Sequence, residues 1–152
     1  MRLYDFRTEY RENPIGLTDK APRFSWKIES EEQNTIQTAY EIKVTDENGN
    51  VVWNSGKKAS DQSVLIPYEG EKLADEMLYK VEVSVADNHA NIETIEGTFE
   101  TGILDNTEFI AKMLTSDFPE EETACPVFGK TFAMDKKVKK ARLFATAHGV
   151  YE

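Results

Sequence analysis

The residues that first invite a chemical reading lie in Asp46-Glu47-Asn48-Gly49-Asn50. Asp46, Asn48 and Asn50 place oxygen donors at alternate positions, as in the first three ligands of a calcium loop. The rest of that motif fails, with Val51 where the glycine belongs and Lys57 where the bidentate glutamate belongs. A plain hairpin turn is the better reading. His89 and His148 are the only histidines, far apart in sequence, and Cys125 is the only cysteine. A zinc site needs more Cys or His ligands than these, so His89 reads as a solvated turn residue. A Cys125–His148 nucleophilic dyad is weakened by Glu120-Glu121-Glu122, whose charge raises a nearby thiol's pKa. Cys125 reads as an ordinary residue at the start of a strand. The abundant carboxylates fall in turns and on outward strand positions, and none marks the separated pair that glycoside hydrolysis needs.

Aromatic side chains are the remaining candidates. Trp26, Trp53 and Tyr68 have the ring faces for stacking on a sugar. Trp26 and Trp53 lie in alternating runs, where burial is the default. Trp53 and Tyr68 are the two residues kept as candidates for carbohydrate binding. No glycine-rich phosphate loop is present, and no catalytic residue, metal site or cofactor is expected.

The elements that must position these residues follow a period of two. Leu78 to Ala86 is the clearest, with Tyr79, Val81, Val83 and Val85 on one side and Lys80, Glu82 and Ser84 on the other. Arg23 to Ile28 alternates likewise, with Phe24, Trp26 and Ile28 sharing a face. Thr38 to Thr45 turns Tyr40, Ile42 and Val44 inward and runs into Asn48-Gly49, a hairpin signal because both residues tolerate positive φ. Val51 to Ser55 returns as the partner. Arg2 to Arg7, Ser63 to Ile66 and Ile92 to Thr101 supply the remaining strands, the last with Ile95, Gly97 and Phe99 on one side. Seven short strands over about a hundred residues, with a turn signal about every ten, is the pattern of an immunoglobulin-like or fibronectin type III sandwich. The expected fold is all-β, with one sandwich over residues 1–104.

Residues 105–152 read differently. Asp105-Asn106-Thr107 is linker chemistry, and two strands are expected at Val127–Met134 and Ala141–Ala147 around the basic turn Asp135-Lys136-Lys137-Val138-Lys139-Lys140. So few strands cannot bury a core. The stretch reads as the incomplete start of a second β-domain, expected to pair between copies, pack back or stay poorly ordered.

Composition limits the partners. A net charge of −10 on 152 residues leaves no cation excess for nucleic acid or an anionic membrane surface. One cysteine excludes an internal disulfide framework. The opening Met1-Arg2-Leu3-Tyr4-Asp5 has no apolar signal core, so a cytoplasmic location is expected, or a secreted one if a leader has been trimmed.

Several stretches together resemble the N-terminal part of bacterial α-L-rhamnosidases. They are Glu12-Asn13-Pro14-Ile15-Gly16-Leu17, Pro22-Arg23-Phe24-Ser25-Trp26, Gln37-Thr38-Ala39-Tyr40, Val52-Trp53-Asn54-Ser55-Gly56-Lys57, Phe99-Glu100-Thr101-Gly102 and the closing run Ala141 to Glu152. The chain departs from that family's pattern at Val81, Phe109 and Met113, where tryptophan is common, and at Gly129, where a basic residue is common. The resemblance implies a fibronectin-type domain, then the entry into a further β-sandwich, in a glycoside hydrolase that removes terminal α-L-rhamnose with inversion. It places the acids of that reaction in an (α/α)-barrel much further along, so this stretch is expected to be inactive alone. The partners it implies are the following domains of the same enzyme and a rhamnosyl glycoside. The alternative is a carbohydrate- or protein-binding sandwich with no tie to rhamnosidase activity.

Overall fold

A computed structural model describes residues 1–105, 110–117 and 126–147. It divides into two compact units, Met1–Ala111 and Lys112–Glu152. Among the described residues there is no helix.

The first unit carries seven strands: β1 (Arg2–Thr8), β2 (Arg23–Glu29), β3 (Gln37–Asp46), β4 (Val51–Asn54), β5 (Ile66–Pro67), β6 (Leu78–Asp87) and β7 (Ile92–Glu100). They form two antiparallel sheets, ordered β1-β2-β5 and β4-β3-β6-β7. Alternation decides which faces meet. Val81, Val83 and Val85 of β6 are fully buried, as are Ile42 and Val44 of β3 and Phe24 of β2. The valine rows suit the pleat, because a β-branched chain loses little rotamer freedom there.

Aromatic rings fasten the two sheets together. Phe24 lies 6.0 Å from Phe6, 6.3 Å from Trp53 and 6.0 Å from Phe99, measured between ring centroids. Phe99 in turn stacks on Tyr79 at 5.0 Å. The Tyr79 hydroxyl accepts the Ala74 N–H at 2.9 Å, a tyrosine corner at the start of β6. Gly97 of β7 lies opposite Val81, and a Cβ there would collide with the Phe6 ring. The missing side chain lets Phe6 close the seam between β1 and β7.

The loop after β1 acts as a strap. Asn13 Oδ1 accepts the Thr98 N–H, the Glu100 N–H reaches Pro14 O, and the Leu17 N–H reaches Glu100 O. The Gly102 N–H then returns to Leu17 O at 2.8 Å. Edge groups of β7 that would otherwise stay unpaired are satisfied here. The stretches Glu12–Leu17 and Phe99–Gly102, distant in sequence, thus form one structural unit.

Some expectations change. The β3–β4 hairpin uses Gly49 at φ 89°, whereas Asn48 does not take positive φ. The Gly49 N–H bonds Asp46 O, and the register shifts between Val44 and Thr45. This is a type I turn closed by a glycine bulge, which needs one left-handed residue rather than two. The strand expected at Ser63–Ile66 shrinks to Ile66–Pro67, because Leu65 takes a φ of 53° and interrupts the extended run. In the second unit, Val127–Met134 and Ala141–Ala147 form no strand. Val127 and Leu143 are 95% and 89% exposed, and without a facing sheet they have nothing to bury against.

Candidate functional site

The turn that mimicked a calcium loop spends its oxygens internally. Asp46 Oδ1 accepts the N–H groups of Asn48 and Asn50, and Oδ2 accepts the Asn50 side-chain amide. These bonds, the Asn50 side chain first, hold the Asp46 carboxyl below its usual range. The same device closes β6–β7, where Asp87 accepts the N–H groups of His89 and Asn91 and the Asn91 side-chain amide. Burial pushes Asp87 up, yet these bonds outweigh it and leave it lowered. His89 Nδ1 stands 3.5 Å from Glu32 Oε2 on a half-exposed side chain. Among the described residues no three His, Cys, Asp or Glu side chains converge as metal ligands would. Cys125, His148 and Glu120–Glu122 lie outside the described residues.

Trp53 and Tyr68 are brought together, edge to face at 5.3 Å. Trp53 is half-buried against the core and Tyr68 is buried. The Tyr68 hydroxyl donates to Glu71 O at 2.8 Å, with Val52 O at 3.3 Å, so neither its ring nor its hydroxyl faces outward. Burial pushes its phenol up to about 12. The sign is then fixed. Between about pH 10 and 12 the unfolded chain has lost this proton while the folded chain keeps it, so stability falls as pH rises through that window. Urea denaturation from pH 9 to 12 should show that decline, and Tyr68→Phe should make it shallower, with Tyr40 and Tyr79, also pushed up by burial, keeping part of it. An unchanged slope in the variant would place the Tyr68 hydroxyl in water.

A shallow groove of about 480 Å³ lies between β1 and β7, lined by Asp5, Glu12, Asn13 and Glu96 among others. Two of its acids, Asp5 and Glu96, are engaged. Lys27 and then Arg7 hold Asp5 below its usual range, and Glu96 pairs with Lys80 at 2.6 Å. A general acid for glycoside hydrolysis requires a raised carboxyl pKa. Asp5, Glu9, Asp46 and Asp87 move the other way, downward.

Sequence reasoning missed the outer face of β1–β2. Tyr10 is 66% exposed, and Arg23 places its guanidinium carbon 5.7 Å from that ring's centroid. Arg23 binds Glu9 bidentately, Nε–Oε1 at 2.9 Å and Nη2–Oε2 at 2.6 Å. Tyr4 has Lys27 Nζ at 6.0 Å from its ring. The run Thr8-Glu9-Tyr10-Arg11 carries no glycine, asparagine or proline, so it gave no turn signal.

Comparison with known proteins follows the same outline. Residues 3–105 match the family model described as Rha78A-like, N-terminal immunoglobulin domain. An α-L-rhamnosidase of Formosa agariphila is 31% identical over an alignment covering 92% of this chain and 17% of that protein. The structure of Streptomyces avermitilis α-L-rhamnosidase complexed with L-rhamnose is similar at TM-score 0.68 and 33% identity, over 73% of this chain and 11% of that one. The α-L-rhamnosidase from Dictyoglumus thermophilum is similar at TM-score 0.66 and 34% identity, over 72% of this chain and 13% of its own. The chain therefore spans less than a fifth of the length of these relatives.

Proposed function

Because the chain belongs to the Rha78A-like N-terminal immunoglobulin domain family, we propose that it is the non-catalytic N-terminal module of an enzyme that hydrolyses terminal α-L-rhamnose from glycosides. One observation carries this reading: the similarity covers 92% of this chain but only 17% of a full-length relative. Chemistry supports it. Inverting hydrolysis needs a carboxylic acid that stays protonated near neutrality and a carboxylate that activates water, whereas Asp5, Glu9, Asp46 and Asp87 are each stabilised in their charged form. The module's contribution in this proposal is mechanical. A cross-braced sandwich, with its last strand strapped by Glu12–Leu17, gives the following domain a stiff neighbour.

The partners proposed are the following domains of the same enzyme. In the second unit Phe128, Phe132 and Leu143 are 57%, 70% and 89% exposed, apolar area that such a domain, or a second copy, would cover. The purified 152-residue chain is expected to release no chromophore from 4-nitrophenyl α-L-rhamnopyranoside. Sustained turnover that co-purifies with the chain and survives loss of contaminating activity overturns the non-catalytic assignment.

A further inference from the structure

We propose that the outer face of β1 and β2, centred on Tyr10 and Tyr4, is a binding face for a neutral pyranoside. The inference goes beyond the module assignment and does not need it. It starts from backbone strain. Thr8 and Arg11 exchange both backbone hydrogen bonds, at 2.9 and 3.0 Å, around Glu9 and Tyr10. Glu9 and Tyr10 have φ values of 48° and 68°, the two left-handed positions of a type I′ turn. That turn ordinarily takes Asn-Gly. A bulky residue there is strained, and such outliers gather where a side chain must be presented. The side chain presented is a tyrosine ring left 66% exposed.

The surroundings make the ring a platform. Arg23 cannot swing away, because Glu9 takes its guanidinium at two points and its backbone N–H at a third, 2.7 Å. Its cation sits by the ring. Tyr4 repeats the arrangement with Lys27, itself held by Asp5 at 2.8 Å. Arg23 and Lys27 flank Ser25 on β2 while Phe24 and Trp26 point into the core, so both cations share the outer face. Four residues of strand separate them by about 13 Å, so the two rings can meet different parts of one extended ligand.

Charge selects the class of ligand. In a chain of net −10 this face carries Arg2, Arg7, Arg23 and Lys27 against Asp5, Glu9 and Glu29, and all seven are engaged in ion pairs. No strong single-sign field remains to favour a cationic or polyanionic partner. Two amphipathic rings beside fixed polar groups suit a ligand with an apolar C–H face and hydroxyls at its rim.

The test uses the whole chain, 15N-labelled, titrated with methyl α-L-rhamnopyranoside and with the disaccharide rutinose. The expected result is amide shifts confined to the neighbourhood of Tyr4, Tyr10, Arg23 and Lys27, with rutinose bound more tightly. Tyr10→Gly should weaken binding about tenfold. The same variant relieves the left-handed strain but gives up the contact with Arg23, so its Tm should change little and the lost binding is not an unfolding effect. Shifts that map elsewhere, or no shift with either sugar, would each overturn the proposal. So would shifts explained by self-association through this face, seen as concentration dependence without sugar. None of these outcomes touches the assignment of the module, which rests on similarity over residues 3–105.

Discussion

Phe24→Ala is expected to cost about 3–5 kcal/mol, the range for removing a buried phenylalanine. A domain of this size has roughly 5–15 kcal/mol in total, so the variant should sit near its unfolding transition. Phe24 is fully buried, and the position of its neighbours explains why little relaxation is available. Phe6 comes from β1, Trp53 from β4 and Phe99 from β7, so the ring touches both sheets. Collapse into the void would require the sheets to approach, but the Phe6 ring already lies against Gly97 and Tyr79 is tied to Ala74. Phe24→Leu keeps most of the volume and should cost under about 1.5 kcal/mol. An alanine at Ile92, 69% exposed, should change stability by no more than about 0.5 kcal/mol. Urea midpoints at constant slope measure all three. A cost below about 1 kcal/mol for Phe24→Ala would mean that the rings are not the sheet-to-sheet fastening.

The strands that pack this cluster were legible in the sequence because their signal is local. A period of two needs only neighbouring residues, and Tyr79, Val81, Val83 and Val85 are buried as their spacing requires. The cluster itself was not legible, since Phe24 and Phe99 meet only after the chain has laid down the strands between them. The strap was half legible. Asn13-Pro14 and Gly16 announce a loop, but nothing local says that Asn13 will accept a hydrogen bond from Thr98, 85 residues on. Val127–Met134 and Ala141–Ala147 read as strands yet form none, because a strand also needs an edge to pair with and a face to cover.

The candidate site was the least legible part. Trp53 and Tyr68 are candidates by residue type, and type says nothing about which side of a sheet a ring occupies. Tyr68 follows Pro67, and its N–H is taken by Pro22 O, which turns the ring toward Val52 and Glu71. The turn at Glu9-Tyr10 carries no sequence signal, because neither residue favours positive φ. The turn exists through Glu9 reaching Arg23, 14 residues away, a long-range bond that compensates a local cost.

Gln37 offers the second large effect, through polar groups rather than volume. Its side chain is buried, and all of its hydrogen-bonding directions that matter are used. Oε1 accepts the Trp26 indole N–H at 3.0 Å, while Nε2 donates to Ser60 O at 3.0 Å and Gln62 O at 2.7 Å. One residue at the start of β3 therefore ties β2 to the segment leading to β5. Gln37→Leu leaves the Trp26 donor buried without a partner and releases two carbonyls, at a cost of about 2–3 kcal/mol. Trp26→Phe alone leaves Gln37 Oε1 orphaned and should also destabilise. The double variant removes both partners, so it should be more stable than the sum of the two losses by roughly 1–2 kcal/mol. A leucine in place of Gln37 still releases the carbonyls of Ser60 and Gln62, so recovery stops short of wild type. Strict additivity of the two substitutions, read from urea midpoints, would mean that the indole N–H finds water in the folded state and that Gln37 holds the loop alone.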